Sequence, residues 1–296
     1  MGSVYQGWML ALLVAAIGTL GTVHLLLSQF RQLALDIPNH RSLHQVPVPR
    51  TGGWAIWVGV ALALVVSPLA LRWEIALPFG GLLMVSLIDD LHPLSAKVRF
   101  IVQTLAVGSL LYFLVPDLPA WLLPVLLVGG VWVVNLYNFM DGMDGFAGSM
   151  TVIGFFTLAG ISFFRGDISL AGICLLVGIS TLIFLYYNFP VAKLFLGDAG
   201  STVIGLIVFA VSVQGWSGQV FSPLVPLLVF APFWLDATWT LICRVWAGEP
   251  WWQAHRQHYY QRSALRVGVK KTLILEVFVM AGMSLLAVTL VISGKL

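Results

Sequence analysis

Charged side chains are scarce in this chain: Lys, Arg, Asp and Glu make up 9% of 296 residues, against 59% hydrophobic. A soluble fold of this length needs far more polar surface, so that class is excluded. Cysteine is nearly absent. Cys174 and Cys243 lie in apolar runs without a pairing or metal-binding pattern, which excludes a disulfide framework and a thiolate metal site and leaves buried thiols as the expectation. There is no internal repeat of fixed period and no low-complexity tract, so a repeated-bundle transporter loses support and one domain over residues 1–296 is expected. No positive charge precedes the first apolar run between Met1 and Trp8, so a cleaved signal peptide is not expected and the first span reads as an anchor. What is abundant, with twelve Trp and eighteen Phe, belongs to an all-α polytopic membrane protein.

Apolar runs occupy 6–28, 53–71, 74–88, 100–115, 119–137, 145–163, 168–187, 200–214, 220–242 and 272–293, which predicts about ten transmembrane helices. The runs 74–88 and 200–214 are short for a span and need tilt or local bilayer thinning. The odd-numbered linkers are long or polar and hold twelve of the fifteen Lys and Arg residues; only Arg72, Arg165 and Lys295 lie opposite. By the positive-inside rule the odd linkers are cytoplasmic and both termini face the other side.

Against this background the stretch Asn135 to Gly145, Asn-Leu-Tyr-Asn-Phe-Met-Asp-Gly-Met-Asp-Gly, stands out. Two carboxylates and two carboxamides directly after an apolar run are expensive beside lipid and mark a functional site. Gly142 and Gly145 permit a turn with close backbone approach. The plainer reading is that Asp141 or Asp144 N-caps the next helix, but one cap does not need two Asn and two Asp at three-residue intervals.

The other cytoplasmic linkers carry further polar groups. In the first, Arg41, Arg50 and the amides of Gly52 and Gly53 are candidate anion holders. In the next, adjacent Asp89 and Asp90 repel unless a proton or a divalent cation intervenes, and oxygen ligands beside phosphate favour magnesium over zinc. A salt bridge from Asp90 to Lys97 or Arg99 is the alternative. The fourth ends in Gly197-Asp198-Ala199-Gly200-Ser201, where Asp198 either N-caps a helix or carries a cation facing a phosphate. In the fifth, His255 and His258 flank Arg256 in a group suited to phosphate or sugar, while Trp246, Trp251, Trp252, Tyr259 and Tyr260 suit the interface. Asp236 needs a partner, for which Arg244 is available. Glu276 has none that the sequence assigns.

Taken together these linkers resemble the polyprenyl-phosphate N-acetylhexosamine-1-phosphate transferases, the membrane family that includes MraY, WecA and TagO. The resemblance rests on Asp36-Ile-Pro, Arg41-Ser-Leu-His, Pro49-Arg-Thr-Gly-Gly, Asp89-Asp90 with Leu94 to Arg99, Asn135 to Gly145 and Phe195 to Ser201, each in family order. MraY-like members have three consecutive histidines in the fifth linker. Here it reads Ala254-His-Arg-Gln-His-Tyr-Tyr-Gln-Arg262, which looks like the WbpL-like branch that starts O-antigen synthesis and makes a muramyl-pentapeptide substrate unexpected.

The resemblance implies transfer of an N-acetylhexosamine 1-phosphate from a UDP-sugar to undecaprenyl phosphate at the inner membrane, releasing UMP. It implies Asp198 as first magnesium ligand with Asp90 assisting, manganese being able to substitute, and Asp89 as base or orienting group. Asn135, Asn138, Asp141 and Asp144 would surround the nucleotide, Asn188 would line the same cleft, and Lys97, Arg99, His255, Arg256 and His258 would hold phosphates. Expected partners are UDP-N-acetylhexosamine, undecaprenyl phosphate and the bilayer; a homodimer is compatible with this and nucleic acid is not expected. CDP-alcohol phosphotransferases also use Asp-Gly pairs, but their continuation to Ala-Arg is absent here. A cation-coupled transporter would need midplane acids, whereas only Asp236 and Glu276 lie clearly inside spans.

Overall fold

The computed structural model describes residues 2–38, 42–70, 72–249 and 255–296, and of Ser3 the backbone only. Arg41, Trp251 and Trp252 lie outside the described residues. The chain is a helical bundle: α1 (Gly2–Ser28), α2 (Gly52–Val66), α3 (Trp73–Leu91), α4 (Ala96–Leu114), α5 (Leu123–Phe139), α6 (Phe146–Phe164), α7 (Ile168–Asn188), α8 (Asp198–Ser217), α9 (Leu224–Val229), α10 (Ala231–Trp246), α11 (Tyr259–Val267) and α12 (Val269–Ile292). Between α1 and α2 the chain forms a short antiparallel pair, β1 (Leu35–Asp36) with β2 (Val48–Pro49). Among the described residues six helices are long and apolar enough to cross a bilayer, and α2 and α5 are shorter apolar helices. The protein is a multi-pass membrane protein.

Every predicted run contains a helix, although α2 stops at Val66 within the run 53–71, and two further differences stand out. The runs that looked short are not: α3 has 19 residues and α8 has 20. Their acids, Asp89, Asp90 and Asp198, are themselves helical, so hydropathy alone ends those spans too early. The run 220–242 is not one helix but two, α9 and α10, meeting at Phe230. Pro232, in the first turn of α10, has no N–H to donate to a carbonyl of α9, which favours the break.

Within the bundle α8 is central. Of its apolar window 78% is buried, against 28% for α1, α4 and α12, which therefore turn most of their apolar surface outward to lipid. Polar pairs cross-link the interior, where a lone polar group would be costly. Ser86 and Thr202 hydroxyls meet at 2.8 Å, and Tyr137 and Thr151 hydroxyls at 2.9 Å. Cys174 is buried as expected, whereas Cys243 is exposed on α10.

Candidate active site

The odd-numbered linkers meet at one end of the bundle. There they enclose a cleft of about 320 Å³ lined by residues from the first, third, fourth and fifth of them, Asp36, His44, Asn138, Asp141, Asp198 and His255 among them. The acids Asp89 and Asp90 stand just behind its wall, at the end of α3.

Asp90 holds that wall together. One carboxylate oxygen accepts from the Asp198 amide at 2.8 Å, and the other from the Ala199 amide at 3.3 Å and the Trp54 indole at 2.9 Å. These are the first amides of α8, which carry the positive end of its dipole, so Asp90 caps that helix from a distance in sequence. The predicted bridge from Asp90 to Lys97 or Arg99 is not formed. Arg99 instead reaches Asp89 at 3.0 Å and lies 3.7 Å from Asp198. Asp89 also accepts from the Leu94 amide at 2.5 Å, so both its oxygens are engaged. Lys97 is exposed and does not line the cleft.

Asp198 is the first residue of α8, behind Gly197 at the cap position, so it is not the cap that one reading allowed. Its carboxylate accepts from the Asn138 amide, which also donates to the Ser201 hydroxyl at 3.1 Å. Asn138 and Asp198 thus bind the end of α5 to the start of α8. Asp141, one turn on, accepts no hydrogen bond among the described residues. Burial, then the nearby carboxylates of Asp198, Asp90, Asp36 and Asp144, push its pKa well above the usual carboxylate range. A half-buried acid among acids calls for a cation or a proton.

The capping reading for Asp141 and Asp144 fails, because Gly145 occupies the cap of α6 at φ 73°, a left-handed angle that favours glycine. Asp144 accepts from the Ala192 amide at 2.9 Å and so ties the fourth linker to this turn, and burial raises its carboxyl. Asn188 accepts from the Gly145 amide and donates to the Leu194 carbonyl, both at 2.9 Å; it lines the cleft as a clamp with both ends occupied. Asn135 lies a turn deeper, donating to Gln103 at 2.7 Å, and is not part of the cleft.

Several groups sit elsewhere than the sequence suggested. The amides of Gly52 and Gly53 face no anion site: they donate to the Phe195 and Leu196 carbonyls, each at 2.8 Å. Arg50 spends part of its guanidinium on the Asp90 carbonyl at 3.0 Å and also lines the cleft. Asp236 does not pair with Arg244. It accepts from the Tyr259 and Tyr260 amides at 2.8 and 3.1 Å, holding the start of α11, with His258 3.5 Å away. Arg244 pairs with Glu249 at 2.6 Å. His258 is buried and lines no part of the cleft; Arg256 is exposed and does not line it either. Glu276 is buried on α12, and among the described residues no hydrogen bond to it is present.

Residues that sequence reasoning did not single out complete the cleft: His44, 3.7 Å from Asp36 and edge-on to Phe195, and Gln261 on α11. His44 could have been found from its place in the Arg41-Ser-Leu-His segment; for Gln261 no sequence signal existed. Since Asp236 takes the first amides of α11, Asp236→Ala should cost about 1–2 kcal/mol locally. The expected result is faster limited tryptic cleavage at Arg262 and Arg266, and cleavage at the wild-type rate would show that the cap is dispensable.

A multi-pass helical bundle whose acids, amides and one arginine converge on one cleft at its end defines a class: a membrane enzyme with a polar site at one end of its bundle. Residues 73–216 match the model of "Glycosyl transferase family 4". The chain is 31% identical over 278 residues, 86% of its length and 77% of the relative's, to a probable undecaprenyl-phosphate N-acetylglucosaminyl 1-phosphate transferase of Bacillus subtilis. It is 30% identical over 289 residues, 79% of its length and 69% of the relative's, to a decaprenyl-phosphate N-acetylglucosaminephosphotransferase of Mycolicibacterium smegmatis. To an undecaprenyl-phosphate alpha-N-acetylglucosaminyl 1-phosphate transferase of Escherichia coli it is 28% identical over 249 residues, 76% of its length and 68% of the relative's. The chain belongs to glycosyl transferase family 4.

Proposed function

We propose that the protein transfers an N-acetylhexosamine 1-phosphate from a UDP-sugar to undecaprenyl phosphate, at the cytoplasmic face of a bacterial inner membrane, as the first step of a cell-surface polysaccharide such as O-antigen. The observation that carries this reading is the joining of Asn138, Asp141 and Asp198 in one cleft at the end of the bundle. A soluble nucleotide and a lipid-anchored phosphate can meet only at such a boundary. The names of the relatives supply the acceptor and the phosphosugar.

The residues present fit magnesium. Among the described residues no three acids or histidines cage an ion by themselves. Magnesium asks for no such cage, since it is held by one or two carboxylates with phosphate and water completing the shell. Asp198 would be the first ligand, and Asp141, with no hydrogen-bond donor on it, would suit the second place better than Asp90, whose oxygens already serve the amides of α8. When bound, the ion offsets charge between the two phosphates and stabilises charge on the leaving group.

The remaining work falls to the chain. An oxygen of the lipid phosphate attacks the phosphorus that bears the sugar; that P–O bond forms as the bond to the α-phosphate breaks, and UMP leaves. Arg50, which lines the cleft, faces the oxygens on which charge builds, while Arg99, paired with Asp89 and 3.7 Å from Asp198, does not line it. Phe195 and His44 provide a flat-sided end for the uracil beside Asp144, while Asn188 holds that end in shape. The assay is direct: membranes are incubated with radiolabelled UDP-N-acetylhexosamine, undecaprenyl phosphate and magnesium. Label should enter the organic phase, vanish with EDTA and return with magnesium or manganese. Chelator-resistant transfer would remove the ion from the reaction, and no lipid-linked label with any UDP-sugar would remove the function.

A further inference from the structure

A second and larger space runs through the bundle toward the end opposite the cleft. It has a volume of about 540 Å³ and is walled by α2, α3, α4, α7 and α8. Of the side chains that line it, only those of Trp57, Arg72 and Gln214 carry hydrogen-bonding atoms. The Trp57 indole is already given to the Ala199 carbonyl at 2.7 Å, in the first turn of α8, and closes the end of the chamber nearest the cleft. Arg72, just before α3, and Gln214, in the last turn of α8, mark the other end. Water needs two or more polar partners to stay in such a space, and between its two ends this one offers none. Hydrocarbon is the filling that its walls accept.

The depth of the chamber matches one leaflet. From Val203 to Gln214 its wall follows α8 for about 16 Å, and half of a bilayer's hydrocarbon core is about 15 Å. A side chain of another protein is too short to fill that depth, whereas an acyl chain is not. The mouth carries charge. The Arg72 side chain is more than half exposed, and its Nε lies 3.9 Å from a partly exposed Glu74, a weak contact. Among the described residues no hydrogen bond from its terminal nitrogens is present, whereas Arg165, at the same end of the bundle, is spent on the Leu296 carbonyl at 2.9 Å. A guanidinium above an apolar shaft fits a phosphodiester that carries hydrocarbon.

We propose that this chamber binds one acyl chain of an anionic phospholipid from the leaflet opposite the cleft, with the lipid phosphate on Arg72. The site is separate from that of an acceptor lipid, whose phosphate has to reach the cleft at the other end and would leave Arg72 without an anion. The bound chain bears on Trp57, and through the hydrogen bond from Trp57 to Ala199 it braces the turn that carries Asp198.

The test is lipid binding to the purified, delipidated full chain in detergent micelles, followed by native mass spectrometry with phosphatidylglycerol and phosphatidylcholine of identical acyl chains. The wild type is expected to hold one phosphatidylglycerol about fivefold more tightly than phosphatidylcholine, the effect of one arginine on a net negative headgroup. In Arg72→Gln that preference should disappear. Gly80 on α3 lines the chamber, and a Cβ there meets nothing within 4 Å, so Gly80→Leu fills space without pressing on a helix contact. Both lipids should then bind at least about tenfold more weakly. Should Gly80→Leu not accumulate, Ala76→Leu, one turn nearer the mouth, is read in the same way. Unchanged binding in the filled variant, an unchanged preference in Arg72→Gln, or a wild type without that preference would overturn the proposal. So would displacement of the phosphatidylglycerol by an equimolar amount of undecaprenyl phosphate, which would make the chamber a prenyl site. Binding is read without a donor sugar, so the outcome is independent of the transfer reaction.

Discussion

Asp198→Asn is expected to abolish transfer, by at least about 10³-fold in kcat, while the protein still accumulates in the membrane. The fold should survive because the amide is nearly isosteric with the carboxylate. Its oxygen can still accept from Asn138, the Asp198 backbone amide still reaches Asp90, and Arg99 keeps its partner Asp89. What the mutant lacks is an anionic oxygen, the one property a hard divalent cation requires of it. Binding of the nucleotide product, followed as a thermal shift with UMP in the absence of metal, should be close to wild type. Turnover within tenfold of wild type would move the ion away from Asp198, with Asp141 as the remaining choice.

How far this site could be seen in the sequence depended on the kind of signal. Hydropathy and the side on which Lys and Arg fall marked ten helical runs and the end at which the polar linkers gather, because both are summed over many residues. The Asp198, Asp141 and Asn138 cluster was legible because carboxylates and carboxamides at span ends are too costly to be accidental. Spacing does not report depth or partners. Asn135 and Asn138 are three residues apart on α5, but at the depth of Asn135 the neighbour is Gln103 of α4, and only Asn138 reaches the end where α8 begins. The same limit explains Asn188, His258 and Asp90: each met a backbone amide, a carbonyl or an acid supplied by a distant segment, and was taken up in holding the linkers together. Gln261 was hidden for the opposite reason, since a glutamine in a polar helix has the ordinary look of a solvated residue.

Gly53→Ala should destabilise the protein by about 3 kcal/mol or more, although it adds one methyl group. A Cβ at this position would overlap the Gly200 amide nitrogen and Cα and come within 2.9 Å of the Ala199 carbonyl carbon. All three are backbone atoms of the first turn of α8, so no side chain can swing aside. Relief requires α2 to move off α8, and that movement strains the two hydrogen bonds from Gly52 and Gly53 to Phe195 and Leu196. It also displaces Ala199, to whose carbonyl Trp57 donates at 2.7 Å, and with it Asp198 from its place beside Asn138. Lost stability and lost transfer should therefore appear together, the first as a lower thermal midpoint in detergent. The matched control is Gly81→Ala inside α3, where a Cβ meets nothing within 4 Å and the helix gains about 0.5–1 kcal/mol in propensity. If both variants melt at the wild-type temperature, α2 and α8 do not touch backbone to backbone, and the close seam that places Asp198 at the cleft is absent.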